Sequence, residues 1–162
     1  MNDLREQIGR CVEGRVCLMG LGNPSLGDDG LGVRLAEELA GVGVPGVVVA
    51  GAEPERYMGR VLEAGYDHLI LLDAVDFGGE PGSVVWLDGS ALASRWPQVF
   101  THKVSLGLLA RWAESGGKTR AWLLGVQPET LRPAGRLSPA VQATLEILRD
   151  WLLHACAGRA TA

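Results

Sequence analysis

Two short runs in this chain are apolar through their middles, and such a run has no face to offer to water. Arg15-Val-Cys-Leu-Met-Gly-Leu21 is bounded by glycine, and Asp67-His-Leu-Ile-Leu-Leu-Asp73 by aspartate. Each is strand-length and fits a strand covered on both sides, as in a sheet with helices on its two faces. Three further runs fit strands: Gly46-Val-Val-Val-Ala50, Ser83-Val-Val-Trp-Leu87 and Thr119-Arg-Ala-Trp-Leu-Leu-Gly125. The fourth in chain order follows a Gly78-Gly79-Glu80-Pro81-Gly82 turn.

Helical patterns fall between them. Leu31, Leu35 and Leu39 recur every four residues, with Arg34, Glu37 and Glu38 on other faces. Residues 54–64 and 103–115 also read as helices, and residues 1–14 as a polar lead-in with a short helix. The last helix has the clearest start: Ser138 as cap, Pro139 at the first position, and a stripe of Val141, Leu145, Leu148 and Leu152. Strands alternating with helices imply a three-layer α/β domain with a mostly parallel sheet.

Composition bounds the rest. With 162 residues the chain suits one domain, 1–162, and its mean hydropathy of +0.13 argues against disorder. The 23 glycines show no period and cluster where strands should turn into helices. A net charge of −4 with no basic stripe argues against nucleic acid as partner. No secretory signal and no run near the ~18 apolar residues of a membrane span are seen, so the expectation is a cytoplasmic protein. Cys11, Cys17 and Cys156 are odd in number and lack CxxC spacing, which predicts buried or free thiols without disulfides.

The stretch richest in chemistry is Gly20-Leu-Gly22-Asn23-Pro-Ser-Leu-Gly27-Asp28-Asp29-Gly30-Leu-Gly32. It leaves a buried strand, turns and opens a helix, at the sheet edge where open α/β folds bind ligands. Asp28 is placed to cap that helix, or to serve the site. Asp29, in the first turn, is the better functional candidate, because one cap needs no second acid beside it. A phosphate loop is excluded, since no Lys follows Gly27, and a dinucleotide loop needs GxGxxG. Two carboxylates would also repel a pyrophosphate.

Asp73 ends the third strand at the same edge, either capping a loop or joining the site. Asp76 reads as turn chemistry. His102, in Phe100-Thr-His-Lys-Val, is the only histidine on a loop between elements; His68 begins a strand and His154 lies on the last helix. If Asp29, Asp73 and His102 converge, they suit nickel or zinc, or general acid–base work on a water. They stand 44 and 29 residues apart, so their convergence depends on the fold. No G-x-S-x-G elbow occurs, and Cys17 is interior to a strand.

The ordered set resembles the hydrogenase maturation proteases. Gly20-Leu-Gly22-Asn23 with Gly27-Asp28-Asp29-Gly30-Leu-Gly32 is similar to that family's G-x-G-N…D-[DE]-G-x-G signature. Leu72-Asp73-Ala74 resembles its second acid, Thr101-His102 its histidine, and Gly125-Val-Gln-Pro128-Glu129 and Leu137-Ser138-Pro139 further landmarks. The resemblance implies a twisted five-stranded sheet between helices, of the phosphorylase/hydrolase-like kind. It implies an endopeptidase that removes the C-terminal extension of a nickel-iron hydrogenase large-subunit precursor after nickel insertion. The metal-contacting and catalytic residues would be Asp29, Asp73 and His102, with Gly22, Asn23 and Asp28 in the substrate loop. The nickel would arrive in the precursor, so the enzyme would need no permanent metal.

Two departures stand out. Residues 1–14 precede the first strand, whereas many relatives begin it almost at once. After the second strand Val49-Ala50-Gly51-Ala52 replaces the family's Asp-Gly-Gly-Thr or Asp-Gly-Gly-Ser. Two rivals remain. A peptidyl-tRNA hydrolase shares Gly-Leu-Gly-Asn-Pro but needs a histidine soon after, and here none precedes residue 68. A non-enzymatic small-ligand or metal-binding α/β module would use the same crevice.

Overall fold

The structure, a computed structural model, describes residues 2–95 and 105–157. Five strands form one sheet in the order β2-β1-β3-β5-β4: β1 (Val16–Leu21), β2 (Val47–Gly51), β3 (His68–Ala74), β4 (Val84–Asp88) and β5 (Arg120–Val126). The β2-β1-β3-β5 ladders are parallel, while β4 runs antiparallel to β5 as an edge. Among the described residues six helices accompany them: α1 (Asn2–Cys11), α2 (Leu31–Gly41), α3 (Glu55–Ala64), α4 (Gly89–Arg95), α5 (Leu106–Glu114) and α6 (Pro139–Ala157).

The period-2 alternation of the central strands separates two cores. Leu18, Ile70, Leu72 and Leu124 face one way and meet α1, α2 and α6 through Ile8, Leu35 and Leu148. Cys17, Met19, Leu69, Leu71 and Leu123 face the other way and meet α3, α4 and α5 through Met58, Leu92 and Leu109. This is the three-layer domain expected from the two runs that are apolar through their middles. Strand β3 is buried through Leu69–Ala74 because it has neighbours in the sheet and helices on both faces.

Several expectations shift in detail. Helix α4 was not foreseen; at seven residues it is too short for a periodic signal. The helix read over 103–115 is described from Leu106, with the Ser105 hydroxyl accepting the Leu108 amide as its cap. Ser138 does not act as the side-chain cap expected of α6. Its hydroxyl donates to Asp28, and only its backbone carbonyl serves the helix, accepting from Gln142.

The three cysteines are buried, with no disulfide among the described residues. Burial pushes the Cys17 thiol up to about 12 and Cys11 to about 11, the latter slightly offset by Arg120. Among the described residues no helix is long and apolar enough to cross a membrane.

Candidate active site

Strand order places the site. From β1 the chain passes through α2 to β2 on one side, then through α3 to β3 on the other. Helices α2 and α3 therefore leave the sheet on opposite faces. The gap between the carboxyl ends of β1 and β3 is the topological switch point, the usual ligand crevice of such folds. Asp29 follows β1, and Asp73 is the penultimate residue of β3.

The glycines of the loop explain its shape. After β1 the chain forms a 3-10 turn over Gly27–Gly30 before α2 begins. Gly22 adopts φ +118°, and a Cβ there would lie 1.9 Å from the Asp29 carbonyl oxygen. A Cβ on Gly32 would lie 2.0 Å from the Leu72 carbonyl and 2.5 Å from that of Leu21. Only glycine lets the start of α2 settle across the ends of β1 and β3. The backbone of Asp29 is thereby pressed against Gly22, and the helix start against the residue before Asp73.

Both acids are buried, Asp29 at 7% exposure and Asp73 at 0%. The Asn23 amide donates to Asp29 Oδ2 at 2.9 Å, and the Asn23 side chain accepts from Ser25, closing an Asx turn. By alternation Asp73 shares the face of Leu69 and Leu71, the α3–α5 side of the sheet.

Asp28 is not a helix cap. Neither the 3-10 turn nor α2 has a side-chain cap, and Asp28 turns inward with 0% exposure. It accepts from the amides of Glu129 (2.8 Å), Thr130 (3.3 Å) and Ser138 (2.7 Å), and from the Ser138 hydroxyl (2.8 Å). Backbone bonds between Gly27 and Ala134 and between Asp28 and Thr130 complete a clamp between this loop and residues 129–138. Arg34 adds a bond to the Gly135 carbonyl at 2.7 Å.

Gln127 is a positioning residue that reading the sequence for chemistry missed. Its Oε1 accepts from the amides of Phe77 and Gly79, and its Nε2 donates to Asp76. It therefore shapes the loop leaving Asp73. Asp76 is held below the usual carboxylate range, first by the Gln127 amide and then by the Gly78 amide. The Gly125-Val-Gln-Pro128-Glu129 landmark contains this residue, but its role depends on partners about fifty positions away.

His102 lies outside the described residues. Its flanking helices are antiparallel, with Gly89 of α4 against Glu114 and Gly107 of α5 against Ala93. Since α5 returns to the start of β5, its own start at Ser105 belongs to the carboxyl edge of the sheet, where Asp73 lies. His68 instead accepts the Trp122 indole N–H on Nδ1 at 3.0 Å, far from that edge, and His154 is exposed on α6. Among the described residues no group of three or more His, Cys, Asp or Glu is placed to hold a metal ion. Asp29 and Asp73 supply two hard oxygen donors.

Comparison with known proteins agrees with this geometry. Residues 33–154 match the sequence model of HycI, the hydrogenase maturation protease family. The chain is 32% identical over 141 residues to the hydrogenase 3 maturation protease of Escherichia coli strain K12, covering 83% of this chain and 88% of that protein. It is 31% identical over 161 residues to the hydrogenase 2 maturation protease of the same organism, covering 87% and 90%. The crystal structure of a NiFe hydrogenase maturation protease, HycI from Thermococcus kodakarensis KOD1, superposes with a TM-score of 0.81 at 28% identity, covering 93% of this chain and 99% of that one. The E. coli maturating endopeptidase HybD gives 0.67 at 30%, covering 90% and 93%. Agreement in sequence and fold over most of its length, with a glycine loop built to seat an acid at the switch point, makes this chain a member of the hydrogenase maturation protease family, an endopeptidase.

Proposed function

We propose that this endopeptidase removes the C-terminal extension from the large-subunit precursor of a nickel-iron hydrogenase once nickel has been inserted. The observation that carries the reading is the placement of Asp29 and Asp73 in the β1/β3 crevice of a chain from this family. Two carboxylates there suit a divalent ion presented by the substrate, or a water to be deprotonated. His102 supplies the third group, from the segment between α4 and α5. The nickel belongs to the substrate, so the enzyme reads the precursor's state of loading.

Gly22 and Asn23 line the approach to Asp29 and form the substrate loop. Asp28 acts through that loop, holding it against residues 129–138. The reading places the protein in the cytoplasm, in keeping with buried cysteines and no disulfide among the described residues.

The test incubates the purified protein with nickel-loaded and nickel-free precursor and follows loss of mass from the C-terminus. Cleavage of the loaded form alone is expected. Asp29→Asn and Asp73→Asn should each lower the rate by about 100-fold or more, the scale of a lost general base or ligand. An intact loaded cognate precursor would sink the function; an unaltered rate in both variants would sink the site.

A further inference from the structure

The strand on the other side of β1 also ends at the crevice. The Gly22 amide donates to the Gly51 carbonyl at 3.0 Å, so the end of β2 is joined to the glycine that abuts Asp29. Among the described residues β2 pairs with β1 alone and forms an edge of the sheet. The Leu18 amide donates to Gly46, the residue before β2. In a parallel ladder the inward groups then fall on alternate residues, Gly46 and Val48, and Val47 and Val49 turn their N–H and C=O outward.

This edge is short and its register slips at Ala50, yet it lacks the charged and proline guards that edge strands commonly carry. Val47-Val-Val-Ala-Gly51 has no charge and no proline, and Val49 is 36% exposed. Beside it, on the α3 face, lies an open pocket of about 330 Å³ lined by Val48, Tyr57, Arg60, Val61, Ala64 and Tyr66. The Arg60 guanidinium lies 5.3 Å from the Tyr57 ring centre, and that of Arg15 5.2 Å from the Tyr66 ring centre. In a chain of net charge −4, two cations flank this pocket.

We propose that the outer edge of β2 is the docking strand for the substrate. An extended segment of the precursor, next to its cleavage point, pairs with Val47 and Val49. It sets an apolar side chain among Val48, Tyr57 and Tyr66 and an acidic one against Arg60 or Arg15. This inference rests on the function proposed above, which requires a peptide threaded to the crevice. Strands lie ~4.8 Å apart, so a strand outside β2 is roughly 12 Å from the β1/β3 gap, a reach of about four extended residues. Main-chain pairing gives affinity, and the pocket gives preference for the side chain.

The test measures cleavage of nickel-loaded precursor by the wild type, Val49→Pro and Arg60→Glu. Hydrogen exchange of wild-type β2 is followed with and without a synthetic peptide spanning the cleavage point. Proline at residue 49 removes an outward N–H and no ladder bond. We expect KM to rise about tenfold in Val49→Pro and severalfold in Arg60→Glu, with kcat within about twofold. The amides of Val47 and Val49 should exchange more slowly with peptide. Unchanged KM in both variants, or no protection in the wild type, overturns the docking strand while leaving the function standing. Loss of a dimer in Val49→Pro at unchanged KM assigns the edge to a second copy and overturns it too. A wild type that cleaves nothing refutes the function itself, and the docking strand with it.

Discussion

Asp28 and Ser138 are joined twice across 110 positions: Oδ1 accepts the Ser138 amide at 2.7 Å and Oδ2 its hydroxyl at 2.8 Å. A fully buried carboxylate is tolerable only when its oxygens are satisfied in this way. The pair binds the loop after β1 to the start of α6, so that loop is tied directly to the last helix.

Asp28→Asn should therefore be costly, since one oxygen is replaced by an NH2 that faces donors. We expect a loss of about 2–4 kcal/mol, and about 1 kcal/mol for Ser138→Ala, which keeps the amide bond. Urea unfolding of both variants measures this. An Asp28→Asn protein as stable as the wild type would mean that the clamp adds nothing.

Gly22→Ala probes the seating of Asp29. At φ +118°, with the Asp29 carbonyl where the methyl would go, the turn must open. A loss of about 2 kcal/mol or more and a rate of cleavage lowered at least about tenfold are expected. Gly9→Ala, where nothing lies within 4 Å of the added methyl, is the matched control. Equal behaviour of the two variants would dissociate the close approach from the site.

His68 predicts a pH dependence. Burial lowers its pKa below the ordinary 6.5, opposed by Asp67 and aided by Arg120. The neutral ring also accepts the Trp122 indole N–H on Nδ1, a bond that protonation there removes. A histidine depressed in the folded state contributes stability above its unfolded pKa, and loses it as pH falls through the folded value. Acidification from pH ~7.5 to ~5 should lower stability less in His68→Gln, which has no titrating ring at this position, than in the wild type. Parallel thermal midpoints across that range would remove His68 as the source.

The buried thiols give a chemical control. With Cys17 pushed up to about 12 and Cys11 to about 11, almost no thiolate exists near neutral pH. Native protein should resist iodoacetamide at both positions and react at both after unfolding, as mass spectrometry of peptides would show. Cleavage of precursor should persist after treatment of the native protein. Inactivation accompanied by labelling of either residue would revive a cysteine nucleophile.

Much of this was legible in the residues alone, for a local reason. The runs Val16–Leu21 and Leu69–Leu72 lack a polar side, so a buried parallel sheet follows from burial energetics without knowing any neighbour. The leucine spacing of α2 and the Ser138-Pro139 start of α6 are likewise short-range patterns. The glycine spacing around Asp28 and Asp29 marked the tight loop after β1, because a close backbone approach admits little else. Helix α4 escaped because seven residues cannot display a helical period.

Sequence by itself thus determined the layers, the strands and the two acids of the crevice. Tertiary structure decided which neighbour each residue serves. It turned Asp28 from a helix cap into a clamp on residues 129–138, and the Ser138 hydroxyl from a cap into its donor. It also set β4 antiparallel and left β2 on an edge that ends beside Asp29. Periodicity and turn chemistry act over a few residues and can be read along the chain. A hydrogen bond between positions 28 and 138 exists only once the path of the chain has brought them together.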